Sequence, residues 1–165
     1  MHLIDSLVGL RSVRFFKQKE IPEDVLKTIL EAGRHAPSRR NIQPWHFVVV
    51  SNPETRKKLA KGKAKFIEDS ALVIVGCGDP EESRRWCELE VAIAMQTMVI
   101  AAWVQGIGSC WVDIENTEEQ VKDVLGIPKK LEVVALVAFG YPARAKTPKP
   151  SWKKTLDQTI HYDKF

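Results

Sequence analysis

The chain has 165 residues, 44% hydrophobic and 28% charged, with 25 lysines and arginines against 21 aspartates and glutamates for a formal charge of +4. This excludes a disordered, collagen-like or low-complexity chain, and the length suits one domain burying about 70% of its unfolded surface. Three cysteines, Cys77, Cys87 and Cys110, without any C-x-x-C spacing exclude a disulfide framework and point to a reducing compartment.

Leu3 to Leu10 reads as a short helix ending at Arg11. Met1 to Leu10 carries Asp5 and has no basic stretch ahead of a long apolar run, so no secretory signal is expected and the cytoplasm is the expected location. Pro22 is placed to open a helix through His35, since proline fits the first helical turn at no cost. Val25, Leu26, Ile29, Leu30 and Gly33 mark its apolar face. Trp45 to Val50 and Ala71 to Gly76 are compact β-branched runs that read as buried strands. Between them, Asn52-Pro53-Glu54 is a helix start with Asn52 as N-cap, and Gly62 is its expected stop.

Glu82 to Gln105 is the dominant helix, stopped by Gly106. Its second half is apolar almost all round and needs cover on every side, for which a partner chain is expected. The longest apolar run, Val91 to Val104, holds Gln96 and Thr97 and falls short of the ~20 residues of a membrane span. Cys110 to Ile114 reads as a strand, Asn116-Thr117-Glu118-Glu119 as a capping box for a helix ending at Gly126, and Leu131 to Phe139 as the last strand. Ala143 to Lys154 is rich in proline and lysine, cannot make a core of its own, and should wrap over something. Helices mixed with strands, without strict alternation, give an α+β layer fold.

Two motifs carry the chemistry. Arg11-Ser12-Val13-Arg14 offers two guanidinium forks and a hydroxyl, equipment for a phosphate. Pro37-Ser38-Arg39-Arg40-Asn41-Ile42-Gln43-Pro44-Trp45 offers a hydroxyl, two side-chain amides and an indole, groups that suit a planar heterocycle with hydrogen-bonding edges. Together they read as a site for a phosphorylated aromatic cofactor, flavin mononucleotide (FMN) being the natural candidate. Trp45, which begins a strand, reads as core. His2, His35, His46 and His161 are scattered without metal-ligand spacing, and no nucleophile with an associated base is found. No metal site and no catalytic side chain are therefore expected.

These motifs, with Glu90 to Gln96, Gly106 to Val112, Gly126-Ile127-Pro128 and Phe139-Gly140-Tyr141-Pro142, resemble the nitroreductase family of FMN-dependent oxidoreductases over about Leu7 to His161. The resemblance implies a central, mostly antiparallel sheet flanked by helices, in a homodimer whose C-terminal extensions (143–165 here) are exchanged. It implies FMN as cofactor and NADH or NADPH as donor. Arg11, Ser12 and Arg14 would take the phosphate and ribityl chain. Pro37, Ser38, Asn41 and Gln43, from the other subunit, would meet the ring. Trp111, Val112 and Asp113 would pass near the reactive ring nitrogen through backbone groups. Lys153, aligned with a family arginine, would add a phosphate contact. Thr97 stands where many members have asparagine, and Arg39 and Arg40 replace small or neutral residues. The chain has no room for the helical insertion that roofs the flavin in larger relatives.

The expected activity is hydride transfer from NAD(P)H to FMN, then reduction of a nitroaromatic, quinone or similar small acceptor in ping-pong order. Flavin fragmentation, reductive dehalogenation and flavin binding without turnover remain open on the same fold. A basic nucleic-acid-binding module is the reading from another class, resting on Lys57, Lys58, Lys61, Lys63 and Lys65. Zinc spacing and RNP-like aromatics are missing, and a solvated helix face explains those lysines better. Neither nucleic acid nor membrane is expected as a partner.

Overall fold

A computed structural model of the chain describes residues 3–60, 62–114, 117–143 and 153–165. Its frame is a four-stranded sheet of β1 (Trp45–Val50), β2 (Leu72–Gly78), β3 (Gly108–Val112) and β4 (Glu132–Gly140). The order is β1-β2-β4-β3 and each neighbouring pair is antiparallel. The inner strand β2 is buried at every residue. The expectation of a buried β1 needs correction: it lies at an edge, with Trp45 and Val50 buried and His46 exposed. A β-branched run does not say which strand will be outermost, because pairing is decided by distant segments.

The helices are α1 (Leu3–Gly9), α2 (Glu23–Arg34), α3 (Pro53–Leu59), α4 (Pro80–Ser83), α5 (Cys87–Val104) and α6 (Glu118–Leu125). Helix α5 crosses one face of the sheet and packs with α2: Ile29, Val91, Met95 and Met98 share a core with Ile74, Val137 and Phe139. The other face is covered by α3, α6 and the 3-10 segment Gly62–Ile67, which contribute Leu59, Ile67 and Val121 against Val73, Val75 and Leu136. Gly33 permits the close approach of α2 to α5, since a Cβ there would lie 2.1 Å from Met98 Cε. By length and composition α5 could cross a membrane, but Val91, Ala94, Met95, Met98, Val99 and Ala102 make it the central core helix.

Several boundaries differ from expectation. Pro22 is the N-cap of α2 and not its first residue. Asn52 caps α3 as expected, its Oδ1 accepting from Thr55 N at 3.0 Å. Gly62, however, opens the 3-10 segment: α3 stops at Leu59, and the turn after it brings Leu59 and Ile67 into one cluster. The long helix from Glu82 is two helices. Asp79 caps α4 by accepting from Glu81 N, the backbone bends at Arg84 (φ −20, ψ −79), and α5 begins at Cys87. Gly126 ends α6 with φ +66, while Asn116 of the expected capping box lies outside the described residues. Much of the expected arm also lies outside them. Lys153 to Phe165 is exposed, with a 3-10 turn at Leu156–Gln158.

Candidate functional site

The Arg11–Arg14 motif is laid along the free edge of β3. Ser12 bridges Ser109, and Val13 N donates to Ser109 O at 2.8 Å. Gly108 permits the approach, since a Cβ there would lie 2.6 Å from Val13 Cγ2. Arg11 Nη1 donates to Val8 O and Leu10 O, both at 2.7 Å, closing the end of α1 and fixing the side chain with other N–H groups to spare. Arg14 is exposed, its guanidinium carbon 6.0 Å from the Phe66 ring centre. Burial pushes the Cys110 thiol up, while the Arg14 charge and a hydrogen bond with Ser12 pull it the other way. Those two side chains therefore sit beside β3.

The second motif forms a tight turn ahead of β1. Arg40, Asn41 and Gln43 all have positive φ (54, 58 and 57). Such left-handed conformations are costly for residues other than glycine and persist where surroundings enforce them. Two braces do so. Ser38 Oγ accepts from Gln43 N at 3.0 Å, and Gln43 Nε2 donates to Asn41 O at 3.1 Å. A third comes from α5: Glu90, 3% exposed, accepts from Arg39 N at 2.5 Å and from Ser83 Oγ at 2.6 Å. Asn41, Arg39, Arg40 and Pro37 are exposed, and Trp45 is buried in the core.

Trp111, Val112 and Asp113 line an open groove of about 690 Å³ with Glu88, Leu89, Ala92, Ile114, Val134 and Ala135. That volume is in the range of small-molecule sites. The groove exists because β3 is short: its pairing with β4 ends at Val112 opposite Leu136, leaving the start of β4 uncovered. Trp111 stays 37% exposed and is fixed by Nε1 donating to Gln96 Oε1 at 3.2 Å. Thr97 Oγ1 bonds back to Ile93 O and is spent within the helix.

Arg11–Arg14 and Trp111–Asp113 thus share one edge of the sheet. The Pro37–Gln43 turn does not join them. It precedes Trp45, which pairs with Gly78 at one end of the sheet, whereas Ser12 sits on Ser109, beside the Gly108–Gly140 pair at the other end. With β1 and β3 at opposite edges, the motifs occupy diagonal corners, about 14 Å apart across the sheet and about 20 Å along it. Lys153 is exposed, and among the described residues no hydrogen bond or ion pair ties it to Arg11, Ser12 or Arg14.

Sequence reasoning placed Glu90 and Gln96 in the central helix without giving either a task, and it missed Ser83. The available signal for Glu90 was its place directly before the apolar run from Val91, one turn before Ala94 on the same face, because a carboxylate buried there needs hydrogen-bond donors.

Known proteins agree with this architecture. The model of the Nitroreductase family matches residues 8–71 and 60–141. A protein of Archaeoglobus fulgidus, provisionally named an NADH dehydrogenase/NAD(P)H nitroreductase, is 32% identical over 164 residues, covering 94% of both chains. The NADPH-flavin oxidoreductase of Vibrio harveyi is 27% identical, over 89% of this chain and 68% of its own. The solved FMN-dependent nitroreductase of Clostridium difficile superposes with a TM-score of 0.89 at 27% identity, covering 98% of this chain and 99% of that one. The chain belongs to the nitroreductase family.

Proposed function

We infer that the chain works as a homodimer in which each flavin site is assembled from two copies. As a family member it is a flavin oxidoreductase, with FMN as cofactor and NADH or NADPH as electron donor. Its residues fit that cofactor: guanidinium and hydroxyl groups at one corner suit a phosphate, and a braced turn with exposed amide groups suits a heterocycle's polar edge. Bound FMN supplies the hydride acceptance and electron delivery.

The protein's own part is holding and orienting. Arg11, Ser12, Arg14 and Lys153 hold the phosphate end. Asn41 and Gln43 of the second copy, flanked by Pro37 and Ser38, meet the ring. The backbone at Trp111, Val112 and Asp113 lies against its reactive edge, with Trp111 steadied by Gln96. No side chain serves as acid or base. One open face serves donor and acceptor in turn, hence a ping-pong order and a small flat acceptor such as a nitroaromatic or quinone.

The observation carrying this reading is the diagonal separation of the two motifs, which one chain does not close. Exposed Ile4, Leu7 and Val8 on α1, with Leu89 and Val104 on α5, offer apolar surface for a second copy. The test is light scattering with absorbance on the purified protein, followed by anaerobic NAD(P)H. A yellow dimer that bleaches and recovers its colour with a quinone is expected. A monomer with a full flavin load would overturn the shared site.

A further inference from the structure

A second cleft, of about 610 Å³, opens at the end of the sheet away from the Pro37–Gln43 turn. It lies where β1 runs out at Ser51 and β2 begins after Ser70, walled by Lys17–Ile21 and the start of α3. Arg56 of α3 lines it and is only 8% exposed. Its Nη1 donates to Ser51 O. Its Nε is the one buried side-chain nitrogen or oxygen without a partner among the described residues. No carboxylate pairs with Arg56 among the described residues. Burial lowers the guanidinium's pKa and no neighbouring acid offsets that, yet an arginine stays charged.

A desolvated cation without a counter-ion is costly, and an entering anion relieves that cost. The other charges on the cleft are Lys17, Lys19, Glu20 and Asp69, all of them exposed, so the deep charge is positive. Asp69 already accepts from Gln18 Nε2 at 3.4 Å, and Lys19 Nζ lies 4.2 Å from the Tyr141 ring centre. Ile21, Leu26 and Leu72 give the cleft an apolar wall.

We propose that this cleft binds a small organic oxyanion, a carboxylate or phosphate on a compact apolar body, with Arg56 as its countercharge. The inference does not rest on the flavin reading, since the cleft shares no residue with that site. The experiment is amide NMR of the FMN-loaded protein, titrated separately with inorganic phosphate and with benzoate at constant ionic strength. Saturable shifts are expected at Ser51, Asn52, Ser70 and Ala71, and the stronger of the two titrants identifies the preferred head group. Arg56→Met, which replaces a buried charge by an apolar chain of similar length, should weaken binding at least about tenfold. Should that variant not fold, the exposed pair Lys17→Gln/Lys19→Gln should still weaken it several-fold. Absence of saturable shifts with both titrants, shifts confined to the Arg11–Arg14 segment, or affinity unchanged in these variants would overturn the proposal.

Discussion

Removing Glu90 should loosen the turn that carries Asn41 and Gln43 while leaving both amides in the chain. The turn holds three non-glycine residues at positive φ, a strain of about 3 kcal/mol at about 1 kcal/mol each. Glu90 opposes it with hydrogen bonds from Arg39 N and Ser83 Oγ, whose loss leaves two donors unpartnered at about 1–3 kcal/mol each. Ser38 Oγ and the Gln43–Asn41 contact are local braces, so Glu90 is the tie to the rest of the fold. Glu90→Ala should therefore cost about 3 kcal/mol of stability, and FMN should bind about 10- to 100-fold more weakly as the ring contacts lose their fixed geometry. Glu90→Gln keeps an acceptor for Arg39 N and gains a donor for Ser83 Oγ, so it should recover most of both losses. Thermal denaturation, FMN fluorescence titration and amide NMR of Arg39 to Gln43 together measure this. A Glu90→Ala protein with native FMN affinity and unmoved amides in that turn would refute the reasoning.

At the corner proposed for the phosphate, Arg14→Ala should weaken FMN binding by about 10- to 150-fold, the worth of one charge-assisted hydrogen bond; flavin retained after gel filtration measures it. Gly108→Ala places a methyl group 2.6 Å from Val13 Cγ2. It should cost about 1–3 kcal/mol by overpacking and weaken FMN as well, because it pushes the Arg11–Arg14 strap off β3. A lowered Tm with unchanged FMN affinity would separate packing from binding. Asp79 has its carboxyl held below the usual range, first by the Lys130 ammonium at 2.7 Å and then by Glu81 N. A depressed pKa means stability that is present above the ordinary carboxylate value and lost as pH falls through the native one. Asp79→Asn should flatten that part of the acid limb in a Tm-versus-pH series. Burial raises the Cys77 and Cys87 thiols to about 11, so neither should react with an alkylating reagent at mildly alkaline pH until the chain unfolds.

Local patterns decided much of this protein before any contact was known. Asn52 ahead of Pro53, Gly126 after Leu125 and the β-branched runs of β2 and β4 act within a few residues of themselves, so the elements they mark stand near where the text puts them. The donors and acceptors that the two motifs offer are likewise legible from residue type alone. Other features were illegible because they depend on distant partners. Strand order made β1 an edge. The Asp79 cap and the bend at Arg84 divided the one helix expected from Glu82 to Gln105 into two. Glu90 acquired its task only when α5 met a turn 51 residues away in the chain. Tertiary structure alone put Arg11–Arg14 and Pro37–Gln43 at opposite corners. Hydrogen bonding within a helix or turn is written in short stretches of sequence, whereas the distance between two motifs is set by how the sheet between them is paired.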